Sequence, residues 1–229
     1  MFPFDVSNVA EYFLFGSIAI GGGAEYCLLM ASVYRQEHNR RTVALPISPT
    51  FSEPVAEILA QNSGAQLGLV RSGNCHRHAA RMLTSSPASA LFPDARSPEA
   101  AVSGLLLLLG CWDESHGISQ DIASPEGSYW HGIAHRIEPD SWNSGYWFRR
   151  VGTHPIFQPL HARAAATLQA HKDLGWQLKP AWDPFLFIEW CDEARAKPGS
   201  VQQQAALEIQ QAEWELLFLW CATRARDVH

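Results

Sequence analysis

Four of the ten histidines, His116, His131, His135 and His154, fall in the stretch Cys111 to Phe157, together with four of the nine tryptophans. His131 and His135 are four residues apart. On a helix their rings share one face, which is how a helix offers two imidazoles to one metal ion. Glu138, three residues further on, lies near that face. The preceding segment carries Asp113, His116 and Gln120 at i, i+3 and i+7, again on one helical face. His116, His131 and His135 are therefore the candidate metal ligands, and His116, His131 and Glu138 the candidate acid–base groups. The cofactor expected, if any, is a divalent metal: Zn, Fe or Mn. The spacing lacks the glutamate of HExxH and reverses the ExxH order of carboxylate-bridged di-iron bundles. The competing reading is that the histidines are buried and hydrogen-bonded, orienting neighbouring helices.

The same stretch is rich in arginine and aromatic side chains. Arg136, Arg149 and Arg150 have the guanidinium forks that bind carboxylate or phosphate, although Glu138 and Asp140 are equally ready internal partners. Tyr129, Trp130, Trp142, Tyr146, Trp147 and Phe148 could line a pocket that stacks a flat ligand. A ligand-binding set of Arg136, Asn143, Tyr146, Trp147, Arg149, Arg150 and His154 follows. Cys111, Ser115 and Ser128 lie near histidines in the sequence, but none sits in a nucleophile elbow. Three functions are expected in order. The first is binding of an anionic or aromatic metabolite in an enclosed polar pocket, with its conversion as the catalytic extension of that reading. The second is a metal-dependent hydrolase or oxidoreductase using His116, His131 and His135. The third is a structural or interaction module with a satisfied polar network.

These side chains need helices to hold them. Ser97-Pro98-Glu99 is a helix start with a cap residue, a proline in the first turn and an acid beside it. From there a central helix is expected over about 98–121. Its five consecutive leucines, Leu105 to Leu109, leave no polar face, so it is buried all round, and its last turns become polar. A buried helix that ends in a polar face builds a site at one end of a core. Further helices are expected from Ser52 to about Gln61, His76 to Leu83, after Ser128 to the Pro139 boundary, Ser141 to Gly152, His154 to about His171, Pro184 to Lys197, and Val201 to Arg224. No alternating strand pattern is found. The fold class is all-α, a single-domain helical bundle over 1–229 around the buried central helix, with an irregular apolar segment over about 1–45.

Composition narrows the partners. The chain is 47% hydrophobic and 17% charged, with a net charge of −6 and a pI near 5.9. No Lys/Arg-rich run offers the basic face that nucleic acid needs. In residues 12–32, Glu25 and the Gly21-Gly22-Gly23 break count against a membrane span, because a carboxylate at mid-bilayer costs about 2.5–3.5 kcal/mol. The glycines of this segment do not form GxGxxG, and the plainer expectation is a helix over 24–36. The expected partners are a small-molecule ligand and at most a second copy of the chain as a homodimer, with no nucleic acid and no membrane. Five cysteines, an odd number with no CxxC, suggest reduced thiols in a cytoplasmic protein.

The segments DESHGISQ and GSYWHGIAHRIEPDSWNSGYWFRRVGTHPIF resemble a family of uncharacterised proteins from soil and related bacteria and fungi. The resemblance covers residues 111–157 and extends loosely through WDPFLFIEWCDEA and QQAEWELLF. Relatives read close to HGIMHRREPD, then a run ending in YWFRRVG and HP. Ala134 and Ile137 depart from that pattern. Ile137 removes a positive charge, so a two-arginine anion clamp on that helix is not expected. The resemblance implies that this stretch matters and implies no particular reaction.

Overall fold

The computed structural model describes residues 51–171 and 174–224. The expectations for residues 1–45, including the glycine-rich turn and the helix over 24–36, lie outside that range. The described residues form ten helices and no strand: α1 Glu53–Gln61, α2 Arg77–Thr84, α3 Ala88–Leu91, α4 Pro98–Leu108, α5 Trp112–Asp121, α6 Pro125–Ile137, α7 Ser141–Val151, α8 Phe157–Ala170, α9 Pro184–Arg195 and α10 Val201–Ala222. The fold is all-α. Several starts follow the local chemistry. Asp140 accepts from the Asn143 amide at the head of α7, Asp183 accepts from the Phe185 and Leu186 amides at α9, and Ser200 accepts from the Gln203 amide at α10. Each of these bonds satisfies a first-turn donor that the helix itself cannot. α6 starts earlier than expected, with Ser124 and Pro125 as its first-turn pair instead of Ser128.

The continuous helix expected over 98–121 is corrected. α4 stops at Leu108, and α5 begins at Trp112. Gly110 between them takes φ +72°, a conformation open to glycine and costly for other residues. A Cβ there would also meet the Asn74 carbonyl oxygen at 2.4 Å. The break lets the polar half turn away from the leucine-rich half. In α4 every residue from Ala100 to Leu108 is buried. α5 buries only Ser115 and Ser119.

The cysteines also differ from expectation. Cys75 and Cys111 form a disulfide that ties the loop before α2 to the α4–α5 break, while Cys191 and Cys221 are free and buried. Disulfides persist in oxidising compartments, so the cysteines lend no support to a cytoplasmic location. Among the described residues, no helix is long and apolar enough to cross a membrane.

Two apolar clusters hold the helices. The larger gathers α4 with Trp130, Ile133 and Ala134 of α6 and Trp214, Leu217 and Phe218 of α10. The second joins Leu160 and Ala164 of α8, Phe187 and Trp190 of α9, and Ala206, Ile209 and Ala212 of α10. Phe157 and Leu216 pack against both. The α4–α6 crossing is close because Gly104 has no side chain: a Cβ there would lie 2.4 Å from the Trp130 ring. The Gly104 carbonyl accepts from the Trp214 indole at 2.8 Å, so the backbone cannot shift freely to relieve the clash. Gly104→Ala should therefore destabilise the protein by about 1–3 kcal/mol through overpacking, read as a lowered urea midpoint. An unchanged midpoint would mean that Trp130 can move aside.

Candidate metal centre

α5 and α6 bring His116, His131 and His135 together. One ring nitrogen from each lies within 4.8 Å of the others. His131 and His135 are buried, and His116 is partly exposed. The helical spacing does part of this: the four-residue step along α6 leaves the Nε2 atoms of His131 and His135 3.1 Å apart. The rest comes from α5 packing beside α6, which sets the His116 ring 4.2 Å from His131 and 5.1 Å from His135, centroid to centroid.

The hydrogen bonds decide which nitrogens are free. Ser119 Oγ lies 3.1 Å from the His116 carbonyl, to which it donates, and 3.2 Å from His131 Nδ1. With its proton committed to the carbonyl, the hydroxyl oxygen accepts from His131 Nδ1–H. His135 Nδ1 is 3.1 Å from Glu138 Oε2, and a carboxylate only accepts, so this nitrogen also carries a proton. With both imidazoles in these neutral tautomers, the two Nε2 lone pairs would face the space between the rings. Two lone pairs facing at 3.1 Å repel unless a metal cation or a shared proton lies between them. Tetrahedral imidazole ligands on one zinc ion, with Zn–N of about 2.0–2.1 Å, stand about 3.3 Å apart. The observed spacing fits that requirement.

Electrostatics favours the ligating form. Burial, reinforced by His116 and His135, lowers the His131 pKa to about 3. Burial and then His135 also lower that of His116, against the opposing pull of Glu138 and Asp113. Neutral imidazole is the form that binds metal. A group whose pKa is lower in the folded chain takes up protons preferentially on unfolding. Its stabilising contribution is complete above the ordinary value of 6.5 and is lost as the pH falls toward about 3. In the metal-free protein the urea midpoint should fall across that window, more steeply than in His131→Asn. Parallel profiles for the two proteins would contradict the assignment.

Around the histidines lies a second ring of side chains. Glu138 Oε1 pairs with Arg71 at 3.6 Å, and Arg71 also reaches Asp113 at 3.8 Å. Trp112 stacks on His116 at 4.6 Å and donates its indole N–H to the Ala134 carbonyl. Glu138 thus uses one oxygen on His135 and the other on Arg71. It is placed to orient the ring and fix its tautomer, as carboxylates commonly do behind metal-bound histidines. Glu138→Gln should weaken metal binding about 10- to 100-fold, measured by competition with a chromogenic chelator. An unchanged affinity would remove Glu138 from the centre.

The other candidates are scattered. Arg136 is fully buried and points the opposite way. Its guanidinium pairs with Glu213 and reaches Gln210 Oε1 at 3.2 and 3.4 Å. Tyr129 donates to the same carboxylate at 3.0 Å, and Gln210 donates to the Leu67 and Gly68 carbonyls. Arg136 therefore locks α6 to α10 and is not available to an external anion. Asn143 belongs to the α7 cap, bonded to Asp140. His154 is buried against Tyr129 and Trp220, with its Nε2 3.8 Å from Glu126, away from the three-histidine group. Tyr146, Arg149 and Arg150 are exposed on α7, and Trp147 lies against His131 at 4.1 Å. A cleft of about 300 Å³, lined by Leu67, Val70, Asn74, Leu109 and Ile137 among others, shares Trp112 with the centre but none of its histidines.

Ser119, Trp112 and Arg71 were not foreseen. Ser119 stands three residues after His116, a spacing that places both on one side of α5. Arg71 is distant in sequence and leaves no such signal. No known protein family, curated protein or solved structure matches the chain.

Proposed function

We propose that the protein is a metal-dependent enzyme of the hydrolytic type, with His116, His131 and His135 holding one divalent cation, zinc first among the candidates. One observation carries this reading: the two Nε2 atoms face each other at 3.1 Å while the opposite ring nitrogens are already bonded to Ser119 and Glu138. A plain structural network would point one N–H at the other ring's lone pair, and that needs either one of these two outer bonds to reverse or His135 to carry a second proton and donate to both Glu138 and His131. The acceptors behind both rings oppose the reversal.

Three histidines leave a fourth position for water or substrate, the arrangement of catalytic as opposed to closed structural zinc sites. Zinc so held would lower the pKa of a bound water to about 7 and polarise carbonyl oxygens. The protein's own residues have narrower tasks. Ser119 and Glu138 fix the two imidazoles. Arg71 holds Glu138 in place. Trp112 and Trp147 wall the site with apolar surface, which strengthens electrostatic interactions within it. The role of Glu138 is accordingly one of positioning.

The test is elemental analysis of protein purified without a histidine tag, followed by removal of metal with dipicolinate and its re-addition. About one zinc per chain, with a melting temperature that falls on removal and recovers on re-addition, supports the reading. Stoichiometric iron would keep the centre and move the chemistry to oxidation. Protein that neither carries nor takes up metal leaves a hydrogen-bonded network and overturns the reading.

A further inference from the structure

We infer that this centre acts on substrates that carry a carboxylate on a planar or apolar body, and that Arg150 is the residue that selects them. The inference rests on the three-histidine metal reading. Two of the imidazoles are flanked by indoles, Trp112 on His116 and Trp147 on His131. Each indole in turn bears a guanidinium: Arg71 lies 4.5 Å from the Trp112 ring centre, and Arg150 lies 5.1 Å from that of Trp147.

The two arginines differ in what else they touch. Arg71 is neutralised by Glu138 and Asp113. Arg150 is exposed, and among the described residues no carboxylate pairs with it. A guanidinium resting on an indole has lost part of its conformational freedom but keeps its donors, so it is prepared to fork a carboxylate. Its central carbon is no further from the His131 ring than the Arg150–Trp147 and Trp147–His131 separations laid end to end. That upper limit admits a ligand whose reacting group and carboxylate are separated by a spacer of about one aromatic ring. Two further exposed aromatic residues lie on α7. Trp142 is 74% exposed, and its ring stacks with that of the exposed Tyr146.

The experiment uses cobalt(II)-loaded protein, whose visible absorption reports ligands at the metal. It is titrated with benzohydroxamate and with 4-carboxybenzohydroxamate, which grip metal alike and differ only in the distal carboxylate. The carboxylated probe should bind about fivefold more tightly. That advantage should vanish in Arg150→Gln and return in part in Arg150→Lys, with benzohydroxamate affinity the same in all three proteins. Equal affinities for the two probes, or an advantage that survives Arg150→Gln, would overturn the inference while leaving the metal centre standing. If cobalt does not load, or neither hydroxamate perturbs the spectrum, the metal reading fails first and takes the inference with it.

Discussion

His131→Ala should abolish stoichiometric metal binding. The loss in affinity should exceed the about 100-fold that removing an orienting partner can cost, because His131 would be a direct ligand with its Nε2 aimed at the shared point. The variant also exposes a weakness of the experiment. His131 is 1% exposed, so its removal opens a cavity, leaves the Ser119 hydroxyl without its partner and lowers stability on its own account. His116→Ala avoids this. His116 is partly exposed and makes its ring contacts at the rim of the site, so its truncation should weaken metal binding with little change in the urea midpoint of the metal-free protein. Loss of metal in both variants, with His116→Ala folded as before, identifies the centre. Retention of full affinity in His116→Ala would reduce the centre to two histidines and remove the open-site argument for catalysis.

The second large effect lies away from the site. Glu213→Ala should cost about 3–5 kcal/mol, because it strands the Arg136 charge in the core. Both side chains of the pair are fully buried. Tyr129, whose hydroxyl donates to the same carboxylate, would lose its acceptor too, and burial with the adjacent Glu213 already pushes its pKa well above the usual phenol value. Urea denaturation gives the comparison. Arg136→Met combined with Glu213→Leu should recover most of the loss, since replacing a buried pair by apolar groups is often neutral. A double variant as damaged as Glu213→Ala would show that hydrogen bonds to Tyr129 and Gln210, and not the stranded charge, dominate. Metal affinity should be retained in the double variant, because the pair faces α10 while the histidines of α6 face α5.

That division of α6 into two working faces explains much of what could be read in advance. His131 and His135 are four residues apart and share a face whatever the helix packs against, so their meeting was legible from spacing alone. Arg136 follows His135 immediately and is rotated by about 100° on a helix of 3.6 residues per turn. Its chemistry suggested an anion site shared with the histidines, which that rotation disfavours. The guanidinium found an internal acid instead, supplied by Glu213 from 77 residues further along. Sequence proximity could not announce that partner. In the same way Arg149 and Arg150 are neighbours on α7, and only Arg150 gains an indole to rest on.

By itself the sequence determined the all-α class, the starts of most helices and the pair of imidazoles on α6. All of these depend on contacts within one or two helical turns: caps, prolines and apolar periodicity act locally. Tertiary structure decided the rest. It broke the helix expected over 98–121 at Gly110, where the chain turns against the Asn74 carbonyl, and so placed His116 beside His131. It joined Cys75 to Cys111 across that turn and delivered Arg71 to Glu138. It also separated the arginines into one buried in an ion pair and others left in solvent. Each of these outcomes depends on which helix faces lie against each other, and that is set by the burial of the whole apolar core, not by the residues that happen to adjoin in the chain.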